Sequence, residues 1–495
     1  VSTPPTAAAP ATPVSRATVG LRSERGPILG SVMISIALVA IDTTILATAV
    51  PSIVADLGGF TQFPWMFSAF LLAQAVTVPI YGKLADVVGR KPLMLVGIGL
   101  FVLGSLLCAV AWSMTALIAA RAVQGLGAGA IQPTGMTIMG DIYSVAERAV
   151  AQAYVASVWA MSAVVGPTLG GLFSEHLSWR WIFWINLPLG AAAAWMLQRR
   201  FTESEAATAR RRTAGERLRL DVLGAFVVAI AAGLLLLGLL EGGIRWSWSS
   251  GTSVGIFAGA AVLALALVGV ERRAIDPVLP GWLFRDRVLN AATLGAFVVG
   301  ALTLGVTSYV PVYAQTVLGA DAVTAGLAVA ALAIGWPIAA STAGRFYVRR
   351  GFRPLLLLGS CFAVLGAVIL ASVGPGSSVL VLAAGSLVLG LGLGYVASPS
   401  IVAAQSAVDW DRRGVVTGAN MFSRSVGSAV GVAVFGAIAN GMVTARTGPG
   451  AVDLESLPAG VLDPALHAVF VAVAATAALL VLAWVVMPTR TDPAG

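Results

Sequence analysis

Apolar runs of about 20 residues, each long enough to cross a bilayer as a helix, recur along the whole chain and are separated by short polar stretches. The pattern predicts helices near 28–50, 64–84, 92–112, 115–139, 149–173 and 181–198, then two more near 221–241 and 252–271. Six further helices are predicted near 289–312, 322–346, 354–373, 378–400, 413–440 and 465–487. The expected fold class is therefore an all-α membrane protein with 14 transmembrane helices.

The polar stretches divide the chain. Residues 1–27, rich in Pro, Ala, Thr and Ser, read as a disordered cytoplasmic tail. An N-terminal six-helix bundle over 28–198 is followed by a charged cytoplasmic linker, 199–220, and two inserted helices, 221–271. A second cytoplasmic loop, 272–288, leads to a C-terminal six-helix bundle over 289–487 and a cytoplasmic tail, 488–495. The two bundles are related by an internal repeat. Gly82 and Gly89 precede Lys91-Pro92-Leu93 at the spacing with which Gly344 and Gly351 precede Arg353-Pro354-Leu355. Arg148 and Gly166 are likewise matched by Arg413 and Gly431.

Composition agrees, with 58% hydrophobic residues, 11% charged and a mean hydropathy of +0.91. The net charge of +8 does not point to nucleic acid, because the basic residues cluster between hydrophobic segments, as in cytoplasmic loops. Of the 30 Lys and Arg, only Arg180, Arg245 and Arg446 fall in outer loops, and only Arg121 and Arg424 fall within helices away from their ends. Both termini are accordingly expected in the cytoplasm. Cys108 and Cys361 lie inside apolar runs and read as packing residues. The abundance of Ala, Gly, Val and Arg suggests a bacterial source, hence the bacterial plasma (inner) membrane.

Against this background one carboxylate stands out. Asp42 lies within ISIALVAIDTTILATAVP, Ile34 to Pro51, whereas the other acidic residues fall in loops or near helix ends. An ionisable group at that depth costs about 2.5–3.5 kcal/mol on insertion scales and marks a functional site by default. Arg121, at a comparable depth on the fourth helix, is its candidate partner. Proton and cation compete for one carboxylate in such a pair.

Further motifs surround the pair. Gly82, Asp86, Gly89, Arg90 and Lys91 fill the turn between the second and third helices, where glycines allow a sharp turn and the charges can lock one conformation. Arg121-Ala122-Val123-Gln124-Gly125 opens a ladder of small residues on the fourth helix, suited to close helix approach. The fifth helix carries Gly166-Pro167-Thr168-Leu169-Gly170-Gly171, whose proline demands a neighbour for the freed carbonyl.

The turn G-K-L-A-D-V-V-G-R-K resembles the signature loop of the major facilitator superfamily, and G-P-x-x-G-G resembles the antiporter motif of its exporters. Asp42-Thr43-Thr44-Ile45 with Pro51, and Trp179-Arg180-Trp181 through Asn186-Leu187-Pro188, resemble the 14-helix drug:proton antiporter family, multidrug-efflux type, over about residues 28–487. Phe70 stands where that family usually has Tyr, and Tyr313-Ala314-Gln315 only partly follows a Tyr-Leu-Gln pattern. The resemblance implies a major facilitator fold of two six-helix bundles plus two inserted helices. It also implies that the loop stabilises the outward-open state, and that the chain is a proton-coupled exporter of lipophilic or amphipathic compounds, linked to antibiotic resistance.

Asp42 and Arg121 are the expected proton-coupling residues. Trp159, Met161, Tyr309, Gln315, Tyr395, Gln405, Asn420 and Arg424 are candidate cavity residues by polarity, aromaticity or helix. Glu241 and Asp321, at outer helix ends, are expected to be solvated caps. The expected partners are a small lipophilic or amphipathic substrate, protons and the lipid bilayer, with a monomeric assembly, no nucleic acid, no cofactor and the proton gradient as energy source. Two other readings compete with drug export. One is a lipid or cell-envelope exporter of the same fold. The other is a membrane-embedded enzyme, disfavoured because His176 and His467 are the only histidines, far apart in sequence, and no HExxH, nucleophile elbow or Cys/His metal set occurs.

Overall fold

The computed structural model describes residues 19–58, 64–203, 221–243, 245–274, 277–447 and 459–489. Its first half contains α1 (Gly26–Leu57), α2 (Pro64–Val87), α3 (Arg90–Ala109), α4 (Met114–Ile142), α5 (Val145–His176) and α6 (Asn186–Arg200). Then come α7 (Val222–Glu241) and α8 (Gly251–Glu271). The second half contains α9 (Arg287–Thr316), α10 (Ala322–Arg350), α11 (Phe352–Ala371), α12 (Val379–Ser406), α13 (Arg413–Thr447) and α14 (Ala459–Ala478), the last continued by Leu480–Val486. Each apolar run satisfies its own backbone as a helix, as hydrocarbon requires, and the ends are fixed locally. Ser113 accepts the N–H of Ala116 at the start of α4, and a reciprocal Ser144/Glu147 capping box opens α5.

Among the described residues, 12 helices are long and apolar enough to cross a membrane, against the 14 expected. The shortfall lies in α6, 15 residues long, and in the apolar stretch Leu223–Leu239 of α7. The sixth run is interrupted at Ile185, which separates a one-turn helix, Trp181–Trp184, from α6 and sets Asn186 at the head of α6.

The expected disordered tail ends sooner than residue 27. Val19 is fully buried, and its carbonyl accepts a hydrogen bond from Tyr143 at 3.5 Å, because an apolar side chain there can join the core beside α4. Residues 1–18, 204–220 of the linker and 490–495 of the final tail lie outside the described residues.

The two halves pack alike. In the first, α1 packs on α5, and α4 packs on both α2 and α3; in the second, α9 packs on α13, and α12 packs on both α10 and α11. Between halves α2 meets α13 and α5 meets α10, so each half offers its second and fifth helices to the other. The inserted α7 packs on α8 and reaches across the seam, with Leu236 buried between Ala75 of α2 and Ala429 of α13.

Candidate functional site

Inside the first half the side chains of Asp42 and Arg121 are sealed from solvent, at 1% residual exposure each. Arg121 Nη1 donates to Asp42 Oδ2. The other carboxylate oxygen, Oδ1, accepts from Gln124 Nε2 at 2.7 Å and Asn186 Nδ2 at 3.2 Å. Gln124 and Asn186 also donate to Ser105 Oγ, at 2.8 and 3.2 Å, and Arg121 donates to Gln124 Oε1 at 2.6 Å. The guanidinium lies 4.2 Å from the centre of the Phe70 ring, and its Nε reaches the Met66 carbonyl at 3.3 Å.

One carboxylate thus joins α1, α2, α3, α4 and α6. Such a pair is strongly destabilised when one partner alone is removed, by about 3–5 kcal/mol. Asn186 Oδ1 is buried and has no hydrogen-bond partner among the described residues, leaving one free acceptor beside Asp42. The sequence singled out Asp42 and Arg121, but not Ser105, Gln124 and Asn186 as their partners; the position of Phe70 puts its ring against the pair.

A second cluster ties the halves together at the end bearing the Gly82–Lys91 turn. Asp86 Oδ1 accepts from Arg90 Nη2 at 2.8 Å and from the Gly414 N–H at 2.9 Å, while Oδ2 accepts from the Val415 N–H at 2.9 Å. Its negative charge therefore sits on the N-terminus of α13, where a helix favours it. Arg90 also donates to Asp141 Oδ2 at 3.0 Å and to the Trp410 carbonyl at 2.8 Å, and lies 3.7 Å over the Trp410 ring. Arg413 returns to Asp141 Oδ1 at 3.2 Å. Lys91 stands apart, its Nζ donating to the Gln198 carbonyl at 2.9 Å.

Two glycines matter here for distinct reasons. Gly89 turns the chain at φ +113°, open to glycine and strained for L side chains. A Cβ on Gly82 would lie 2.6 Å from the Gly414 carbonyl oxygen, so α2 and α13 touch backbone to backbone.

The remaining expected residues separate. Gly166 of α5 packs on Thr44 of α1, and Thr44 Oγ1 donates to the Ser162 carbonyl at 2.9 Å. Gly170 is buried on the same helix, whereas the side-chain surroundings of Pro167 and Gly171 lie outside what the structure describes. Gln405 donates to Met136 O and Thr417 Oγ1, at 3.2 and 2.9 Å, and so belongs to the contacts between the halves. Asn420 donates to the Ala292 carbonyl at 3.0 Å, and the Tyr395 hydroxyl meets Thr342 at 2.7 Å. These contacts hold helices of the second half together.

Tyr309 is half-buried against the second-half core. Gln315 is exposed near the end of α9. Met161 is 64% exposed and, two residues from half-buried Trp159, projects from the opposite side of α5. Glu241 is no solvated cap. It is 5% exposed and accepts from Ser68 of α2 at 2.8 Å, because α7 lies against α2. Asp321 is exposed and accepts the Thr324 N–H at 2.9 Å, as a cap does.

Comparison with known proteins accords with this arrangement. A sequence profile of the Major Facilitator Superfamily matches residues 32–222 and 220–432. Multidrug resistance protein 3 of Bacillus subtilis (strain 168) is 32% identical over 412 residues, which cover 83% of this chain and 79% of that protein. Multidrug transporter protein MdtP of the same organism is 32% identical over 445 residues, covering 89% and 80%. The crystal structure of the human organic anion transporter MFSD10 (TETRAN) superposes with a TM-score of 0.65 at 16% identity, covering 94% of this chain and 99% of that one.

Proposed function

We propose that this chain, which belongs to the major facilitator superfamily, exports lipophilic or amphipathic compounds in exchange for protons. Membership makes it a multi-pass membrane transporter and not an enzyme. Drug export rests on relatives named multidrug resistance protein and multidrug transporter. Proton coupling rests on one observation, the sealed Asp42–Arg121 pair.

In this reading a proton reaching Asp42 neutralises it and frees Arg121, loosening α1 from α4. Asn186 Oδ1, without a partner among the described residues, is the spare acceptor beside the new O–H, and turning the amide over to reach it exchanges the Asn186 donations to Asp42 and Ser105 for that bond. Each charge carried inward through 100 mV supplies about 2.3 kcal/mol, enough to drive uphill export without nucleotide. No cofactor is required.

The reading extends to architecture. Bundles 28–198 and 289–487 rock against each other as domains, the two short helices also span to give 14, and 221–271 forms an insert between the bundles. With the basic loops inside, the end tied by Asp86 is cytoplasmic and the state is closed to the cytoplasm. We further propose a monomer in a bacterial inner membrane with both termini cytoplasmic.

The test uses proteoliposomes with an imposed pH gradient and two fluorescent amphiphiles, pyrenebutyrate and pyrenebutylamine. Wild type should concentrate at least one of them, and Asp42→Asn should lose gradient-driven accumulation while still binding it. Accumulation by Asp42→Asn equal to wild type would remove Asp42 from the coupling step.

A further inference from the structure

Arg424 lies eleven residues into α13, about 16 Å along it at 1.5 Å per residue. Its neighbours on that helix are accounted for. Gly414 and Gly418 touch α2, while Asn420, Ser423 and Gly427 touch α9. Between those two seams runs the stripe Thr417, Met421 and Arg424, spaced to share one helical face. At Thr417 that face meets Gln405 of α12, which also bonds Met136 of α4 in the other half. Arg424 is two turns further along the same stripe, which by helical spacing puts it on the side where Thr417 meets α12 and the other half, and it is half-buried.

Four other arginines set among the helices are held by hydrogen bonds or ion pairs. Arg90 bonds Asp86 and Asp141, Arg121 bonds Asp42, Arg413 bonds Asp141, and Arg148 bonds Ser406 Oγ and two backbone carbonyls. No described residue hydrogen-bonds or pairs with the Arg424 side chain. The buried carboxylates among the described residues are already taken, Asp42 by Arg121, Gln124 and Asn186, Asp86 by Arg90 and the head of α13, and Glu241 by Ser68. A half-buried cation within a membrane-spanning helix, held by no carboxylate among the described residues, is open to an anionic partner. The counterpart of Arg424 in the internal repeat, eleven residues after Arg148 as Arg424 is after Arg413, is Trp159, an aromatic surface for an apolar body.

We infer that Arg424 is the headgroup site of the cargo, and that the cargo is an anionic amphiphile bearing a carboxylate, sulfonate or phosphate. The guanidinium supplies a planar fork of donors matched to such oxyanions, and a cationic cargo would meet an unshielded like charge. This rests on the exporter reading only for the fate of the bound molecule, since the charge preference is a binding property.

The test is equilibrium binding to the full chain in phosphatidylcholine nanodiscs, with pyrenebutyrate and pyrenebutylamine sharing one apolar body. Wild type should bind pyrenebutyrate roughly tenfold or more tightly than pyrenebutylamine. Arg424→Gln should erase that preference by weakening pyrenebutyrate alone, Arg424→Glu should invert it, and Arg424→Lys should keep most of it.

Equal or tighter binding of pyrenebutylamine by wild type overturns the inference without relying on any variant. Unchanged pyrenebutyrate affinity in a folded Arg424→Gln overturns it too. Competition by phosphatidylglycerol added to the nanodisc would identify a lipid headgroup as the source, whereas its absence leaves a free amphiphile. Charge-selective binding with no gradient-driven transport would sink the exporter reading and leave the site standing.

Discussion

At the scale of single residues, the Asp42 network makes Asn186 a sensitive position. Its amide contributes one hydrogen bond to a charged acceptor, an interaction worth about 1.5–3 kcal/mol. Asn186→Leu is therefore expected to lower gradient-driven uptake into proteoliposomes roughly tenfold while leaving facilitated exchange nearly intact. Equal loss of both activities would assign Asn186 to structure alone. Asp42 and Arg121 could be read from the sequence because a charge in an apolar run has no bland explanation. Ser105, Gln124 and Asn186 could not, because an uncharged polar residue in a membrane helix is cheap enough to occur anywhere. Only the fold brings α3, α4 and α6 together around one carboxylate. Arg424 shows the reverse case, in which the charge was legible but its lack of a partner was not.

Among the elements, α2 and α13 depend on glycine at their crossing. A side chain at Gly82 would run into the Gly414 carbonyl and, at 3.0 Å, the Gly418 Cα. Gly82→Leu is expected to cost about 1–3 kcal/mol of seam stability, without lowering the melting temperature of the isolated first-half core to the same degree. Limited proteolysis at the Gly82–Lys91 turn should accelerate several-fold, and an unchanged cleavage rate would mean that the seam adapts.

Most helices were legible because long apolar runs have one solution in lipid. Their ends were less so. The extension of α1 to Leu57 and of α5 back to Val145 depends on caps and polar turns outside the apolar window. The break at Ile185 was marked only by Asn186 and Pro188 just after it, inside a run whose length and apolarity read as one helix. The burial of Glu241 was hidden, because it follows from where α7 docks.

For the whole molecule, the repeat yields two seams that are alike in backbone and different in charge. Gly82 meets Gly414 across one, and Gly344 meets Ala149, with its Cβ position 2.4 Å from the Ala149 Cβ, across the other. In repeat register Val348 stands where the first seam has Asp86, and Ser406 where it has Asp141. One seam is thus held by Asp86 on the head of α13 and by the Arg90–Asp141–Arg413 chain, whereas Tyr347 donates to the Val145 carbonyl, at 2.5 Å, across the other.

The charged seam should therefore carry most of the free energy that keeps this end shut. Removing its carboxylate in Asp86→Asn forfeits bonds to charge worth about 1.5–3 kcal/mol, so the open population rises roughly tenfold or more. Thr417, fully buried beneath the seam, is the reporter. In a Cys361→Ser background, with Cys108 buried, Thr417→Cys should react slowly with a membrane-impermeant maleimide, and roughly tenfold faster when Asp86→Asn is added. Arg413→Gln should accelerate labelling as well. The double variant should gain less than the product of the two effects, because both act on one connected set of charges. Multiplicative effects would mean that the two halves of the seam open independently, and a slow rate in both variants would move the latch elsewhere.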